Sequence, residues 1–202
     1  MLSLVIKLNE YKNATWRIMP TNTPVIIRHC SKCNRKSEYY CSEKFRVNAN
    51  QARVDIWLIY KCHKCDSTWK LTIKKGIRPR DIPAELFERF IVNDKCLAWQ
   101  YAFDRNFIKQ NSCVIDYDSV EYAVEGFEAF DGPTLVRVES PYTFDLKLSA
   151  LLAKLLCLSV GQIKKLTESG AISAGPEIDI KKYRIKSDLD IKLTYNSNTK
   201  VI

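Results

Sequence analysis

A chain of 202 residues with 46% hydrophobic and 27% charged residues has the composition of a globular protein of one or two domains. Its most apolar stretch, "LSALLAKLLCLSV", is interrupted by Lys154 and falls well short of the ~20 residues a membrane span needs. The opening "MLSLVIKLNEYKN" lacks the basic lead of a secretion signal, which argues for a cytoplasmic protein whose eight cysteines stay reduced unless a metal takes them.

The net charge of +9 is unevenly distributed. Residues 1–80 hold 17 Lys+Arg against 5 Asp+Glu, residues 81–140 hold 5 against 12, and residues 141–202 hold 10 against 6. Two basic ends around an acidic middle suit a polyanionic partner better than a membrane. Solvated surface charge explains the same numbers equally well. The expected division is a β domain over 1–80, an acidic helical or mixed spacer over 81–140 and a third domain over 141–202.

In chain order, "PVIIR" (24–28) reads as a short strand leading into Cys30 and Cys33. "SEYYCSEKFRVN" and "ARVDIWLIYKC" form a hairpin pattern rich in aromatic and β-branched residues, with "NANQA" as its turn and Asn48 and Asn50 shaping it. Cys62 and Cys65 follow at once, and "STWKLTIKK" supplies a third strand. A Cys-x-x-Cys turn presents two thiolates to one ion, and a hairpin that joins two such turns completes a tetrahedron. Four soft ligands with no open position describe a structural Zn(II) held by Cys30, Cys33, Cys62 and Cys65, the pattern of a zinc ribbon. A redox Cys-x-x-Cys would need a helix start in a βαβ setting, which the pattern lacks. His29 and His63 read as exposed neighbours of the ligands. Cys41, Cys96, Cys113 and Cys157 read as reduced, packed thiols.

Gly76 and the prolines of "GIRPRDIP" mark a linker. "PAELFERFIV" and "NDKCLAWQYAFDRNFIKQ" then read as two helices, with Pro83 in the first turn of one and Asn93 or Asp94 capping the other. Cys96, Trp99 and Phe103 are expected on the buried side of the second. Short β-like runs, "SVEYAV" and "TLVRVES", follow. Leu148, Leu151, Leu152, Leu155 and Leu156 make one apolar helical stripe. Ser159 and Gln162 form a capping box for the next helix, and Gly170 closes it. Four short strands and a polar tail, "TYNSNTKVI", complete the chain.

The segment "LKLSALLAKLLCLSVGQIKKLTESGAIS" resembles the start of the S4 domain, an RNA-binding module. Lys147, Leu148 and Ser149 stand where that family has Arg-Leu-Asp. Cys157, Leu158, Ser159 and Val160 stand where it has Gly-Leu-Ser-Arg. Gln162, Lys164 and Lys165 match its second helix, and Gly170, Ala171 and Ile172 match the exit. Ser149 and Val160 depart from the pattern, and Val160 replaces an Arg that faces phosphate in the family. The resemblance implies phosphate contacts from Lys147, Lys164 and Lys165, with Gln162 beside them.

Over most of the chain, the runs "TWRIMPTNTPVIIRHCSKC", "EKFRVNANQARVDIWLIYKCHKCDSTWKLTI" and "NDKCLAWQYAFD" resemble the bacterial domain-of-unknown-function 1062 family. That resemblance implies a bacterial, cytoplasmic protein and no particular activity. The fold class expected is α+β: an N-terminal zinc-ribbon sheet, a central helical spacer, and a C-terminal S4-like helix pair with short strands.

Trp57, Trp69, Tyr60, Phe45 and Arg46 lie on the expected ribbon strands, where interleaved aromatic and basic residues can stack and clamp single-stranded bases. For Trp57 and Trp69 the simpler expectation is burial of one sheet face. Lys44, Arg46, Arg53 and Lys70 are the candidates for an exposed, RNA-contacting face. The chain shows no nucleotide-binding loop and no Ser-His-Asp order, and Asp104, Asp116 and Asp118 sit in no catalytic pattern. The functional expectation is a non-enzymatic protein that binds structured ribosomal or transfer RNA. The alternative is a zinc-stabilised protein-interaction or regulatory adaptor that binds no nucleic acid.

Overall fold

Alternation decides the strand Arg53–Cys62. Val54, Ile56, Leu58, Tyr60 and Cys62 are buried, while the odd-numbered residues between them are only partly covered. This period of two is what a sheet with one covered face imposes. The computed structural model describes residues 11–50 and 52–194. In chain order these form β1 (Lys12–Pro20), β2 (Val25–Cys30), β3 (Arg35–Asn50), β4 (Arg53–Cys62), β5 (Thr68–Ile77), α1 (Ala84–Ile91), α2 (Lys95–Phe103), α3 (Arg105–Gln110), β6 (Val114–Asp116), β7 (Tyr122–Glu125), β8 (Thr134–Glu139), α4 (Leu148–Leu155), α5 (Val160–Glu168), β9 (Ile172–Ala174) and β10 (Leu189–Leu193). The fold is mixed α+β, with two five-stranded sheets and five α-helices among the described residues. None of these helices is long and apolar enough to cross a membrane. The expectations for residues 1–10 and for the tail from residue 195 lie outside the described residues.

The chain divides into two units. Residues 20–121 form one, and the flanking segments, up to residue 19 and from residue 122, form the other. The cuts expected from charge, at 80/81 and 140/141, follow composition, whereas the units follow strand pairing. The acidic stretch 81–140 is therefore not a spacer: it gives α1 to α3 and β6 to one unit and β7 and β8 to the other.

In the 20–121 unit the sheet runs β5-β4-β3-β2-β6, all antiparallel. Its core joins Ile26, Tyr39, Phe45, Ile56, Leu58, Tyr60 and Leu71 to Phe90, Leu97, Ala98, Ala102 and Ile108 of the three helices. The helices thus cover one sheet face. The "NANQA" turn is shorter than its five residues suggest: β3 runs through Asn50, Asn48 pairs with Asp55, and Asn50 pairs with Arg53. The single helix expected over 93–110 is two. Asp104 ends α2 and caps α3 by accepting from the Phe107 N–H at 2.9 Å. Asp94 caps α2, accepting from the Leu97 N–H at 2.6 Å. Asn93 instead turns its side chain to β3 and accepts from the Phe45 N–H at 2.7 Å. Cys96 faces solvent, so it is not a packed thiol; Leu97 and Ala98 hold that part of the helix in the core.

The other unit's sheet runs β7-β1-β8-β10-β9. β1 and β8 pair in parallel, from Lys12 against Thr134 to Arg17 against Glu139. Trp16, Ile18, Val136, Val138 and Ile191 of the sheet are buried, as are Leu148, Leu151 and Leu152 of α4 and Ile163 of α5. Of the four short strands expected after Gly170, two form, β9 and β10; "YRI" supplies only an isolated bridge between Arg184 and Lys147. β10 pairs with β8 as well as β9, so the strands after the helix pair complete a larger sheet that includes the remote β1.

Candidate metal centre

Two backbone devices bring four cysteines together at one end of the 20–121 sheet. Cys30 ends β2 and Cys62 ends β4, and the register Cys30–Arg35 and Cys62–Tyr39 places both strand ends beside β3. After each Cys-x-x-Cys the chain turns through a left-handed residue, Asn34 (φ 51°) and Asp66 (φ 56°), residue types that tolerate this region. In the second turn the Asp66 N–H donates to the Cys62 carbonyl at 2.9 Å and the Cys62 N–H donates to the Ser67 carbonyl at 3.0 Å. The Asp66 carboxylate accepts from Tyr40 Oη and Lys61 Nζ, each at 2.9 Å, which pins the turn to the neighbouring strands.

The Sγ atoms of Cys30, Cys33, Cys62 and Cys65 all lie within 4.8 Å of one another. Cys30 and Cys65 are 3.6 Å apart and Cys33 and Cys62 are 4.0 Å apart. A tetrahedral thiolate site with metal–sulfur bonds of about 2.3 Å has edges of about 3.8 Å. The cluster is therefore already at the dimensions of a four-coordinate metal site. Cys30 and Cys62 are buried, and Cys33 and Cys65 are half-buried. Four protein ligands leave no open position on the ion for a substrate to bind.

Ser67 is the member of this site that spacing does not reveal. Its hydroxyl lies 3.3 Å from Cys30 Sγ and 3.1 Å from Cys65 Sγ, and these hydrogen bonds are the first cause that lowers both thiols below the usual cysteine range. Cys33 is raised, first by its hydrogen bond with Cys65 and then by burial. The "CDSTW" run carries the only signal, a hydroxyl two residues after a ligand. Beside the cluster, the Arg28 guanidinium lies 4.2 Å from the Trp69 ring centroid and 5.6 Å from that of Tyr39, closing this end of the sheet. His29 and His63 are exposed, and His63 leans on the Tyr40 ring at 4.9 Å; neither joins the thiol cluster. Of the remaining thiols Cys41 is buried, and burial pushes it up to about 12. Cys113 is half-buried, whereas Cys96 and Cys157 are exposed, Cys157 because it occupies a left-handed turn (φ 53°) between α4 and α5.

The face of this sheet away from the helices carries the basic residues singled out in the sequence. Lys44, Ile59 and Lys70 stand in register across β3, β4 and β5, as do Arg46, Trp57 and Thr72. Lys44, Arg46 and Lys70 are exposed, and no described carboxylate pairs with them. Arg53 is also exposed; its guanidinium donates to the Gly76 carbonyl at 2.6 Å beside an open cleft of about 500 Å³ that Lys74, Lys75 and Arg78 also line. Tyr60, Trp69 and Phe45 belong to the helix-covered side, but Trp57 does not: Trp57 pairs with Thr72 and Tyr60 with Trp69, on opposite faces. The expectation that Trp57 buries itself with Trp69 is thereby corrected.

In the other unit Lys147, Lys164 and Lys165 are exposed. Lys164 Nζ lies 3.9 Å from Glu168, and Lys181 holds the same carboxylate at 2.9 Å. The Gln162 side chain accepts from the Ser159 N–H at 2.9 Å, while Ser159 Oγ accepts from the Gln162 N–H at 3.2 Å, so this residue is committed to the capping box. Asp104 and Asp116 are likewise committed to local turns.

The architecture defines a class: an α+β protein whose first sheet is clamped by a four-thiol cluster able to hold a metal ion. A family model described as "Protein of unknown function (DUF1062)" matches residues 47–178, well over half of the chain. The chain belongs to that family. No curated protein and no solved structure matches it.

Proposed function

We propose that this protein is a non-enzymatic RNA-binding protein whose first unit is a zinc ribbon extended by three helices. Zn(II) is the ion that four thiolates at this spacing suit best, and its part is to fold the sheet end. Such a centre needs reduced thiols, in keeping with a cytoplasmic protein. The observation that carries the RNA reading is the helix-free sheet face. Three exposed cations without carboxylate partners among the described residues, Lys44 and Arg46 on β3 and Lys70 on β5, flank Trp57 and Ile59 of β4. Cations fixed by a sheet at strand spacing present a rigid surface to phosphates. A second contact comes from the S4-like helix pair, α4 and α5, through Lys147, Lys164 and Lys165.

The test is ultraviolet crosslinking in cells followed by sequencing of the RNA attached to the full chain, with metal analysis of the same preparation. The expected result is enrichment of one or a few RNAs and about one zinc per chain. Background RNA on a chain with its metal intact overturns the RNA reading. The Lys164→Gln/Lys165→Gln variant tests the helix pair separately: an unchanged salt slope removes α5 from the interface.

A further inference from the structure

Three of the four tryptophans have structural employment. Trp16 is buried in its sheet, Trp69 lies under Arg28, and Trp99 is buried with its Nε1–H donating to Glu43 at 2.6 Å. Trp57 differs. It sits midway along β4, on the face that the helices leave uncovered, partly exposed, with the Lys70 ammonium 5.1 Å from its ring centroid. Its cross-strand neighbours are Arg46 and Thr72. A large π surface set among cations on an open sheet is the arrangement that stacks a base while its phosphates are neutralised alongside.

From this, and resting on the RNA reading above, we propose that Trp57 is a base-stacking platform and that this sheet face takes single-stranded rather than duplex RNA. Only an unpaired base has a free face to lay on an indole; in a duplex the base faces are already stacked on one another. The local geometry fits one nucleotide at the ring. Strands lie about 4.8 Å apart, so Arg46 stands one strand from Trp57, and Lys44 and Lys70 stand roughly 10 Å apart on either side of Ile59. A base on Trp57 thus has Arg46 directly across β3 and, on the β5 side, the diagonal Lys70 for its two phosphates. Lys70 is a long, exposed side chain that can move from the ring face to a phosphate. The carboxylate nearest in sequence, Asp55, is engaged: its Oδ1 accepts from the Gly76 N–H at 2.7 Å. Farther along the same strand, Arg53 opens onto a cleft where Lys74 and Lys75 add positive charge, while Arg78 there is paired with Asp81 at 2.8 Å.

The experiment uses the full, metal-loaded chain and a fluorescein-labelled RNA of about 12 unpaired A and C nucleotides, a length within the site sizes of such surfaces. The same RNA annealed to its complement serves as the duplex. Titrations of wild type, Trp57→Phe and Trp57→Leu are run at several salt concentrations, with thermal midpoints to confirm folding. Expected are preference of wild type for the single strand, retention within about threefold by Trp57→Phe, and a loss on the order of tenfold by Trp57→Leu. The salt slope should not change, because no cation is removed. Trp57→Leu binding the single strand as wild type does, or losing single strand and duplex equally, overturns the platform. If wild type binds neither RNA, the RNA reading itself fails, and the platform with it.

Discussion

The sharpest perturbation of the sheet face is the triple substitution Lys44→Gln, Arg46→Gln, Lys70→Gln. All three side chains are exposed and make no described ion pair, so folding should survive with a thermal midpoint within a few degrees of wild type. Each phosphate neutralised on a single strand contributes about 0.7 to the slope of log affinity against log salt. Removing all three cations should therefore make the slope shallower by about 2. Between about 50 and 200 mM salt, wild type should then lose about 20-fold more affinity than the variant loses over the same interval. Fluorescence anisotropy with the single-stranded probe at four or five salt concentrations measures both slopes. A uniform drop in affinity with an unaltered slope would refute the reasoning, because it would mean that these cations are not neutralising phosphate. A loss of slope near 0.7 would leave only one of the three neutralising phosphate.

Two further outcomes test the fold that carries this face. Asp94 is held below the usual carboxylate range, first by the Leu97 N–H it caps and then by Arg89. Its unfolded form binds a proton more readily, so it contributes stability above that range, and the contribution is lost as pH falls through the depressed value. Asp94→Asn keeps a capping oxygen but cannot titrate, so its denaturant midpoint should fall less steeply than wild type between about pH 5 and pH 2; equal slopes reject the assignment. Gly126 follows β7 at φ +74°, and a Cβ there would lie 2.3 Å from the Thr15 carbonyl oxygen of β1. Gly126→Ala should therefore cost about 2 kcal/mol or more in chemical denaturation, and a change under about 0.5 kcal/mol would show that β1 gives way easily.

Local signals in the sequence carry the hairpin, the thiol quartet and the capping box. β4 alternates strictly, the two Cys-x-x-Cys pairs bracket the hairpin, and Ser159 with Gln162 needs only three residues of context. What stays hidden is non-local. β1 pairs with β8 across more than a hundred residues, and nothing in "KNATWRIMP" names its partner. The same remoteness hides the two-unit division, because charge marks solvent exposure and not pairing. Trp57 escapes a sequence reading for another reason. Parity separates the residues of β4 into two sets, but only the helices, which come later in the chain, decide which set is covered. Cys96 reads as buried only if one long helix is taken to be apolar all round; the break at Asp104 and the turn of α2 leave it in solvent.

The thiol cluster and the basic sheet face are at different places on one sheet, and register connects them. β3 pairs with β4 in two registers, Tyr39–Cys41 against Cys62–Tyr60 and Lys44–Asn50 against Ile59–Arg53, with Ser42 and Glu43 inserted between. Two extra residues preserve the alternation, so Tyr40 and Lys44 stay on the same face; a single extra residue would send Lys44 and Arg46 into the core. The insertion is held by Ser42 Oγ donating to the Ile59 carbonyl at 2.8 Å, by Trp99 on Glu43, and by the left-handed backbone of Glu43 (φ 58°). The four thiols fix the other end of the same strands. On the proposed reading, removing the metal should therefore weaken RNA binding from a distance, because the four thiols lie at the other end of these strands from Lys44 and Arg46. On the loaded chain a thiol reagent should label the exposed Cys96 and Cys157 first, and a chelator should make Cys30, Cys33, Cys62 and Cys65 reactive as well. Single-strand affinity should decline in step with that exposure and with loss of amide protection in β3 and β4, and return when zinc is restored. Full affinity in a chain whose four thiols are open would show that the α1–α3 core and the bulge hold the register without the metal.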